Sequence, residues 1–311
     1  MSFLRDILRI GISSDPWCAY AAEFPSSKEE YDALLEKVKE IKPQNVPADF
    51  KLNILMIGPK AHGKSSAVNS IASISTGKRT TVCNAGETSS DNVTTVYRQL
   101  EIPGHFQTFR LCDVRGLTKE REASNNLLKD IEYIVQGHVK TGYKMDARGP
   151  IKEDDKVYFI SNPTYERKVH GVIIVFDITE AYDIHSSHIE DIKVITNRLN
   201  ELNVPVSVLL TKADLLCQRV RDGIRNIYRS KKVIEAANKV HAKLGIPKKN
   251  IYPVANFEDN VKFGWEESVP LLTAIQAFLG TAANHLHSLQ EGKTGTINCK
   301  IPSESASKEI T

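Results

Sequence analysis

The stretch that decides the fold is LNILMIGPKAHGKSS, which occupies residues 52–66. Its first six residues, Leu52–Ile57, are almost entirely apolar, as expected of a strand buried on both faces of a parallel sheet. The strand runs directly into GPKAHGKS, which matches the pattern G-x-x-x-x-G-K-[ST]. Gly58 and Gly63 let the backbone curl so that successive N–H groups point into one concavity, where an anion can bind. The stretch therefore predicts a phosphate-binding loop between a strand and a helix.

The side chains of this loop predict a nucleotide with a metal ion. Lys64 is expected to place its ammonium on the β- and γ-phosphates, and Ser65 its hydroxyl on Mg²⁺. The helix that begins near Lys64 adds the partial positive charge of its N-terminus. We expect the phosphates to contact Gly58, Lys60, Ala61, His62, Gly63, Lys64, Ser65, Ser66 and Gly116. ATPases and GTPases share such a loop, so other residues must identify the base.

Strand-like and helix-like segments alternate on the C-terminal side of the loop. Further apolar runs cover residues 169–178, 204–210 and 251–255. Residues 93–102 and 106–112 are predicted to form a hairpin around Pro103-Gly104-His105. Predicted helices cover residues 64–75, 119–139, 185–202, 231–244 and 267–289. The order predicts an α/β P-loop NTPase fold in three α/β/α layers, whose mostly parallel sheet has one antiparallel edge strand.

Three regions are predicted along the chain: an N-terminal helical lead-in over residues 1–50, a P-loop GTPase domain over 51–290 and a disordered tail over 291–311. In the lead-in, Ser27 and Glu30 form a capping box for a helix that Pro43 ends. Residues 140–167 are polar and rich in turn formers, which indicates an insertion before the strand at residue 169.

Composition limits the class of protein. The chain has 311 residues with 41 basic and 38 acidic side chains, a balance that does not indicate a nucleic-acid-binding surface. Its cysteines form no C-x-x-C pair and are odd in number, which favours a reducing compartment. They are Cys18, Cys83, Cys112, Cys217 and Cys299. No apolar run reaches the length of a membrane span. We expect a cytoplasmic chain with no transmembrane segment and no nucleic-acid partner.

A second motif follows the predicted hairpin. The strand at 106–112 ends at Asp113-Val114-Arg115-Gly116, a D-x-x-G sequence at the carboxyl end of a strand, where open α/β sheets bind ligands. Asp113 is expected to hold Mg²⁺ through a water molecule, and the Gly116 N–H to meet the γ-phosphate. Alone the motif is weak, but here it follows a phosphate loop by about fifty residues.

A third motif identifies guanine. The strand at 204–210 leads into Thr211-Lys212-Ala213-Asp214, which fits the [NT]-K-x-D pattern of GTPases. The Asp214 carboxylate can accept hydrogen bonds from guanine N1–H and from the exocyclic amine, which adenine lacks. The Lys212 stem would pack over the base, whereas Thr211 in place of the commoner Asn predicts the loss of some hydrogen bonds to the loop. Asn256 follows the next strand, where a backbone N–H is expected to meet guanine O6.

The sequence leaves the third metal ligand and the catalytic residue open. A threonine between the loop helix and the hairpin should reach the metal, and Thr94 is preferred over Thr88 and Thr95, although Thr94 and Thr95 also suit a strand. Leu117 occupies the position where many small GTPases have a water-orienting Gln. We therefore expect slow intrinsic turnover and assign no catalytic residue.

Two loop residues have more than one interpretation. Lys60 stands where many GTPases have glycine; its side chain could block an arginine finger or act as an internal cation. His62 could face a partner or the phosphates, but a side chain that points to solvent is the favoured interpretation.

The motifs together resemble the GTPase domain of the interferon-induced protein 44 and 44-like family. The segments that carry the resemblance are NILMIGPKAHGKSSAVNS (53–70), VTTVYR (93–98), LCDVRGL (111–117), VIIVFD (172–177), LLTKAD (209–214) and PVANF (253–257). The resemblance implies a cytoplasmic, interferon-inducible protein that binds GTP or GDP with Mg²⁺ and has antiviral or immune-regulatory roles. It also favours Thr94 as the metal ligand, three residues before Tyr97.

Two other function classes remain open at this stage. The chain could be a scaffold that binds nucleotide without turnover, alone or as a homodimer or with protein partners. It could instead be a P-loop ATPase or nucleotide kinase with an arginine-rich lid, although three of the arginines recur at helical spacing and a solvated helix face is the simpler explanation. The candidate lid residues are Arg219, Arg221, Arg225 and Arg229.

Overall fold

The computed structural model describes residues 24–83, 96–114, 116–117, 121–145, 149–182, 187–257 and 263–295. Its strands are β1 Leu52–Ile57, β2 Arg98–Glu101, β3 Phe109–Asp113, β4 Gly171–Asp177, β5 Val206–Thr211 and β6 Ile251–Pro253. They form one sheet in the order β2-β3-β1-β4-β5-β6. All neighbouring pairs are parallel except β2 and β3, which are antiparallel at one edge. The predicted fold class is confirmed.

The helices cover both faces of the sheet. They are α1 Lys28–Glu40, α2 Lys64–Thr76, α3 Arg121–Val135, α4 Ile178–Tyr182, α5 Ser187–Glu201, α6 Ala213–Leu216, α7 Gln218–Asp222, α8 Lys231–Leu244 and α9 Trp265–Gly295. Alternate residues of β1 point to opposite faces: Leu55 and Ile57 join a core with α3, α5 and α8, and Ile54 and Met56 join a core with α1, α2 and α9. Of the described helices, none is both long and apolar enough to span a bilayer.

The structure shifts several predicted boundaries. The hairpin strands are shorter than predicted, and residues 93–95 lie outside the described residues. Helix α3 ends at Val135, two residues before Gly137, which takes a positive φ of 86°. Helix α9 continues to Gly295, past the predicted helix end at residue 289 and into the stretch predicted to be a tail. Residues 296–311 of that predicted tail are outside the described part of the chain.

Helix α1 belongs to the same core as the sheet. Its first turn is capped as predicted, since the Ser27 hydroxyl accepts from the Glu30 N–H at 3.4 Å. The Glu30 carboxylate in turn accepts from the Ser26 N–H at 2.7 Å. Tyr31 and Val38 are buried, and the Tyr31 ring lies 6.1 Å from that of Trp265 at the start of α9. The lead-in helix therefore packs on the predicted domain, and the boundary at residue 50 stays a prediction.

Part of the predicted insertion extends the sheet region beyond β2. The Tyr97 N–H donates to the Tyr143 carbonyl at 2.8 Å, and the Gly142 N–H donates to the Tyr97 carbonyl at 2.9 Å. The Gln99 N–H donates to the Thr141 hydroxyl at 3.3 Å. Residues 141–143 therefore lie along the first half of the outer side of the edge strand.

Candidate functional site

The predicted phosphate loop lies at the carboxyl end of β1, in contact with β4. Gly58 has a φ of 148°, and a Cβ at this position would lie 2.1 Å from the Val175 carbonyl oxygen. Gly63, which precedes α2, has a φ of 89°. Glycine adopts such positive φ values without a steric cost. The two glycines of the sequence pattern are therefore required by the backbone conformation of the loop. The loop then delivers Lys64, Ser65 and Ser66 to the first turn of α2.

Lys64 is held by the loop itself. Its Nζ donates to the Gly58 carbonyl at 2.8 Å and to the Pro59 carbonyl at 2.9 Å. Burial lowers the pKa of Lys64 to about 8, and the nearby Asp113 carboxylate opposes this shift. Asp113 ends β3, is buried, and is paired with Met56 in the parallel register. The structure thus brings the predicted phosphate-binding lysine close to the predicted metal ligand.

The D-x-x-G turn lies against the phosphate loop. The Leu117 N–H donates to the Gly58 carbonyl at 3.1 Å, and the Lys60 N–H donates to the Leu117 carbonyl at 3.3 Å. A Cβ on Gly116 would lie 3.1 Å from the Lys60 nitrogen and 3.1 Å from Lys64 Nζ. A side chain at this position would therefore push against the loop, which glycine avoids. Gly116 therefore lies beside Lys60 and Lys64, while Arg115 is outside the described residues.

Three side chains at or after the carboxyl ends of β5 and β6 form hydrogen bonds with the phosphate loop. The Thr211 hydroxyl donates to the His62 carbonyl at 2.8 Å, and Lys212 Nζ donates to the Ala61 carbonyl at 3.0 Å. Asn256 Nδ2 donates to the Gly63 carbonyl at 3.2 Å. Thr211 therefore keeps at least one hydrogen bond to the loop, because β5 lies close enough for a short side chain to reach it, and the expected loss of others relative to Asn stays a prediction.

The remaining predicted base-binding groups lie at the same sheet edge. Asp214 is buried in the first turn of α6, two residues after Lys212. Lys212 also forms an ion pair with Asp177 Oδ2 at 2.7 Å. Although burial raises the pKa of Asp177, hydrogen bonds from Lys212 and Thr179 outweigh it and leave the pKa below its usual value. At Asn256 the prediction concerns a backbone N–H, whereas the structure shows a hydrogen bond from the side chain. The buried Oδ1 of Asn256 has no hydrogen-bond partner among the described residues.

The favoured interpretation of His62, a side chain that points to solvent, is wrong, because this side chain is only 3% exposed. Its Nδ1 accepts from the Asp177 N–H at 3.0 Å, and its Nε2 lies 3.2 Å from Glu180 Oε1. The other Glu180 oxygen lies 3.1 Å from His188 Nδ1. Burial lowers the pKa of His62 to about 4 against the opposing charges of Glu180 and Asp177, so the ring is neutral at pH 7. The loop backbone turns this ring inward against Phe176, with ring centroids 5.0 Å apart.

The group of His62, Glu180 and His188 has the residue types of a metal site, with ligand atoms within 4.8 Å of one another. The hydrogen bond from the Asp177 N–H argues against that role. It makes Nδ1 of His62 an acceptor, so the single proton of the neutral ring lies on Nε2, which faces Glu180. A metal on Nε2 would move that proton to Nδ1, against the backbone N–H. The group is therefore best described as a hydrogen-bonded support beneath the phosphate loop.

Sequence reasoning missed Asp177, Glu180 and His188. Asp177 could have been found, because it ends a buried parallel strand at the sheet edge that carries the other predicted residues. Glu180 and His188 follow no ligand or catalytic spacing that would have indicated them. Thr94, with its alternatives Thr88 and Thr95, lies outside the described residues, so the metal ligand from this segment stays a prediction.

Comparison with solved structures gives the crystal structure of a probable GTP-binding protein, EngB. It aligns with a TM-score of 0.42 and 15% sequence identity over 76% of this chain and 99% of that chain. No protein-family model matches the sequence.

Curated relatives share sequence along most of the chain. Human interferon-induced protein 44-like is 28% identical over 87% of this chain and 60% of its own length. Human interferon-induced protein 44 is 28% identical over 81% of this chain and 56% of its own length, and the mouse protein of that name is 27% identical over 84% and 61%. This chain thus spans about three fifths of the length of these relatives. The resemblance predicted from the motifs is confirmed: over most of its length, this chain is similar to the interferon-induced 44 and 44-like proteins.

Proposed function

We propose that this chain binds GTP and GDP together with Mg²⁺, and acts as a slow GTPase or a GTP-dependent switch. The observation that carries the proposal is the set of bonds that joins the two predicted halves of the site. Lys212, Thr211 and Asn256 donate to three successive carbonyls of the phosphate loop, those of Ala61, His62 and Gly63. A nucleotide needs such an arrangement, because its base and its phosphates must be bound at a fixed separation.

Each part of the nucleotide has a proposed partner. The loop N–H groups and Lys64 would hold the phosphates, and Asp214 would accept from the guanine N1–H and amine. The Ser65 hydroxyl and the Asp113 carboxylate are oxygen ligands of the kind that Mg²⁺ prefers, and Asp113 lies close enough to Lys64 to affect its pKa. When bound, the metal would neutralise phosphate charge. Thr94 is the proposed third protein ligand.

Slow turnover is supported by the position of Leu117. This side chain is 2% exposed and belongs to the core that contains α3, α5 and α8. It therefore has neither the polarity nor the access to orient a water for attack on the γ-phosphate. The same observation favours a second candidate, a nucleotide-dependent scaffold with no significant turnover. Multiple-turnover phosphate release by the wild type, compared with Lys64→Ala, distinguishes a slow GTPase from such a scaffold.

The proposed biological setting is an interferon-linked antiviral or immune response in the cytoplasm. Its support is the similarity to proteins named as interferon-induced, which covers 81% or more of this chain. A homodimer or another protein would supply the catalytic group that the described residues do not identify.

The test of the base assignment is a change of preference rather than a loss of binding. In Asp214→Asn, the amide oxygen can still accept from the purine N1–H, but the amide nitrogen now donates where the carboxylate accepted. We expect the variant to lose GDP affinity and to gain affinity for xanthosine diphosphate, whose C2 carbonyl accepts a hydrogen bond. Each change should be about tenfold or more, the value of one charged hydrogen bond. Isothermal titration with Mg²⁺ measures both.

The exposed Asp154 provides a matched control, since Asp154→Asn makes the same chemical change outside the site. It should keep the guanine preference of the wild type. If Asp214→Asn preserved that preference, Asp214 would not read the base. If the wild type preferred ATP to GTP, the proposal would be replaced by the ATPase or kinase class.

A further inference from the structure

We propose that Lys60 reads the γ-phosphate, so that this chain distinguishes GTP from GDP with a cation of its own phosphate loop. The inference rests on the proposed nucleotide binding and adds a specificity-determining residue to it. Lys60 is the third residue of the loop and is exposed.

The backbone of Lys60 is fixed on the γ-phosphate side of the proposed site. Its N–H donates to the Leu117 carbonyl at 3.3 Å, as part of the pairing between the D-x-x-G turn and the loop. A Cβ on Gly116 would lie 3.2 Å from the Lys60 Cα. Gly116 is the residue whose N–H is expected to meet the γ-phosphate, so the side chain of Lys60 begins next to that position.

The ammonium of Lys60 is available for this role. Within the described residues, no hydrogen bond or ion pair is formed by its side chain, in contrast to Lys64, which bonds to two loop carbonyls, and Lys212, which bonds to Asp177. A lysine side chain is a point charge on a flexible four-carbon stem and can adjust to a phosphate oxygen. Since GDP lacks the γ-phosphate, an ammonium placed there stabilises bound GTP more than bound GDP.

The described residues of the neighbouring turn, Gly116 and Leu117, provide no other cation. Leu117 turns its side chain into the core, and its N–H and carbonyl are both bonded to the loop. Gly116 has no side chain to offer. Of the described residues at this junction, Lys60 is the one with a cationic side chain that reaches solvent on the proposed γ-phosphate side.

The experiment compares affinities for GDP and for the β,γ-imido analogue of GTP, each with Mg²⁺, by isothermal titration. In Lys60→Met, which keeps most of the side-chain length, we expect the preference for the analogue over GDP to fall about tenfold, with GDP affinity nearly unchanged. Lys60→Arg should retain most of the preference, because a guanidinium also binds phosphate. Lys232→Met, at an exposed lysine of α8, should behave as the wild type.

The outcomes separate this inference from the proposed function. If Lys60→Met bound GDP normally and kept the full preference for the analogue, Lys60 would not read the γ-phosphate, and the guanine-nucleotide proposal would stand. An equal loss of affinity for both ligands would also overturn the inference, because it would make Lys60 a general phosphate-binding residue. If the wild type bound neither ligand, the proposed function itself would fail.

Discussion

Burial changes the pKa of two side chains of the phosphate loop, Lys64 and His62. Lys64 is a buried cation whose ammonium bonds to the Gly58 and Pro59 carbonyls, and burial lowers its pKa to about 8. His62 is a buried imidazole whose pKa is lowered to about 4. At pH 7 the first is largely charged and the second neutral. Within the loop, Lys64 is therefore the buried side chain that carries a positive charge, while the neutral His62 ring bonds to the backbone of Asp177.

The pKa of Lys64 predicts that phosphate binding takes up a proton at alkaline pH. Anionic oxygens near the ammonium would raise its pKa, so a Lys64 that is partly neutral at about pH 9 becomes protonated when nucleotide binds. Affinity should consequently decrease as pH rises above about 8. Titration of GDP in two buffers of different ionisation enthalpy measures the uptake directly.

Two comparisons make this prediction specific to Lys64. The Lys60→Met variant should take up the same number of protons as the wild type when it binds GDP at about pH 9. In the wild type at about pH 7, the proton uptake due to Lys64 should disappear, because Lys64 is already protonated in the free protein. Equal binding enthalpies in both buffers at the higher pH would show that Lys64 stays protonated in the free protein.

Among the elements, α3 carries the side chain that fixes the insertion. Asp130 Oδ1 accepts from the Ile151 N–H at 2.8 Å and lies 3.4 Å from the Tyr143 hydroxyl. The His138 and Phe159 rings stack with centroids 5.1 Å apart and join the residues after α3 to the insertion. Burial raises the pKa of Asp130 to about 6, although the bonds from Ile151 and Tyr143 act in the opposite direction.

Asp130 should make stability depend on pH. Because its pKa in the folded state is about 6, above the usual value of 3.8, the folded chain binds more protons than the unfolded chain between these two pH values. The stability that this group contributes is present below about pH 4 and is lost as pH rises through about 6. In Asp130→Asn this dependence should disappear while the amide oxygen still accepts from Ile151. Urea unfolding at several pH values measures the difference between the two proteins.

Removal of the acceptor gives the complementary variant. Asp130→Ala leaves the buried Ile151 N–H without a partner, which should cost about 2 kcal/mol of unfolding free energy at pH 7. If Asp130→Asn and Asp130→Ala were equally destabilised, the hydrogen bond to the insertion would not matter.

At the scale of the whole molecule, the two ends of the described chain pack together. Helix α1 contacts α9, and the Arg225 guanidinium lies over the Phe24 and Trp265 rings at 4.9 and 5.5 Å while it pairs with Glu266 at 3.0 Å. This arrangement gives Arg225, one of the arginines considered for a kinase lid, a structural role.

The packing predicts that α1 unfolds together with the sheet. Tyr31→Ala removes a ring that is 6% exposed and should cost about 3 kcal/mol of unfolding free energy. Glu36→Ala, on the exposed side of the same helix, should cost about 0.5 kcal/mol or less. Urea unfolding followed by circular dichroism should show one transition in both variants. A separate early transition in Tyr31→Ala would make α1 an independent unit.

What the sequence predicts well is local. The bounds of β1 and of α8 agree with the prediction, because a continuous apolar run and the Ser230 and Gly245 caps determine them within a few residues. The spacing of the phosphate loop likewise predicts its glycine conformations. The end of α9 was predicted poorly, since polar side chains alone do not stop a helix.

What the sequence does not predict is long-range. His62 was expected at the surface, but its partners Asp177 and Glu180 are more than a hundred residues away in the chain. The hydrogen bond from Thr211 to the loop spans 149 residues. Such contacts depend on the order of strands in the sheet, because this order places β4 and β5 next to the loop that follows β1. No short sequence motif encodes that order.

The margins of the sheet have a consequence for association between molecules. Strand β2 is four residues long and is partly covered by residues 141–143, and β6 is three residues long and ends in Pro253. Short, covered or proline-ended margins are poor templates for a strand from another molecule. The main chain at the two sides of this fold is therefore protected against the edge-to-edge growth that produces fibrils.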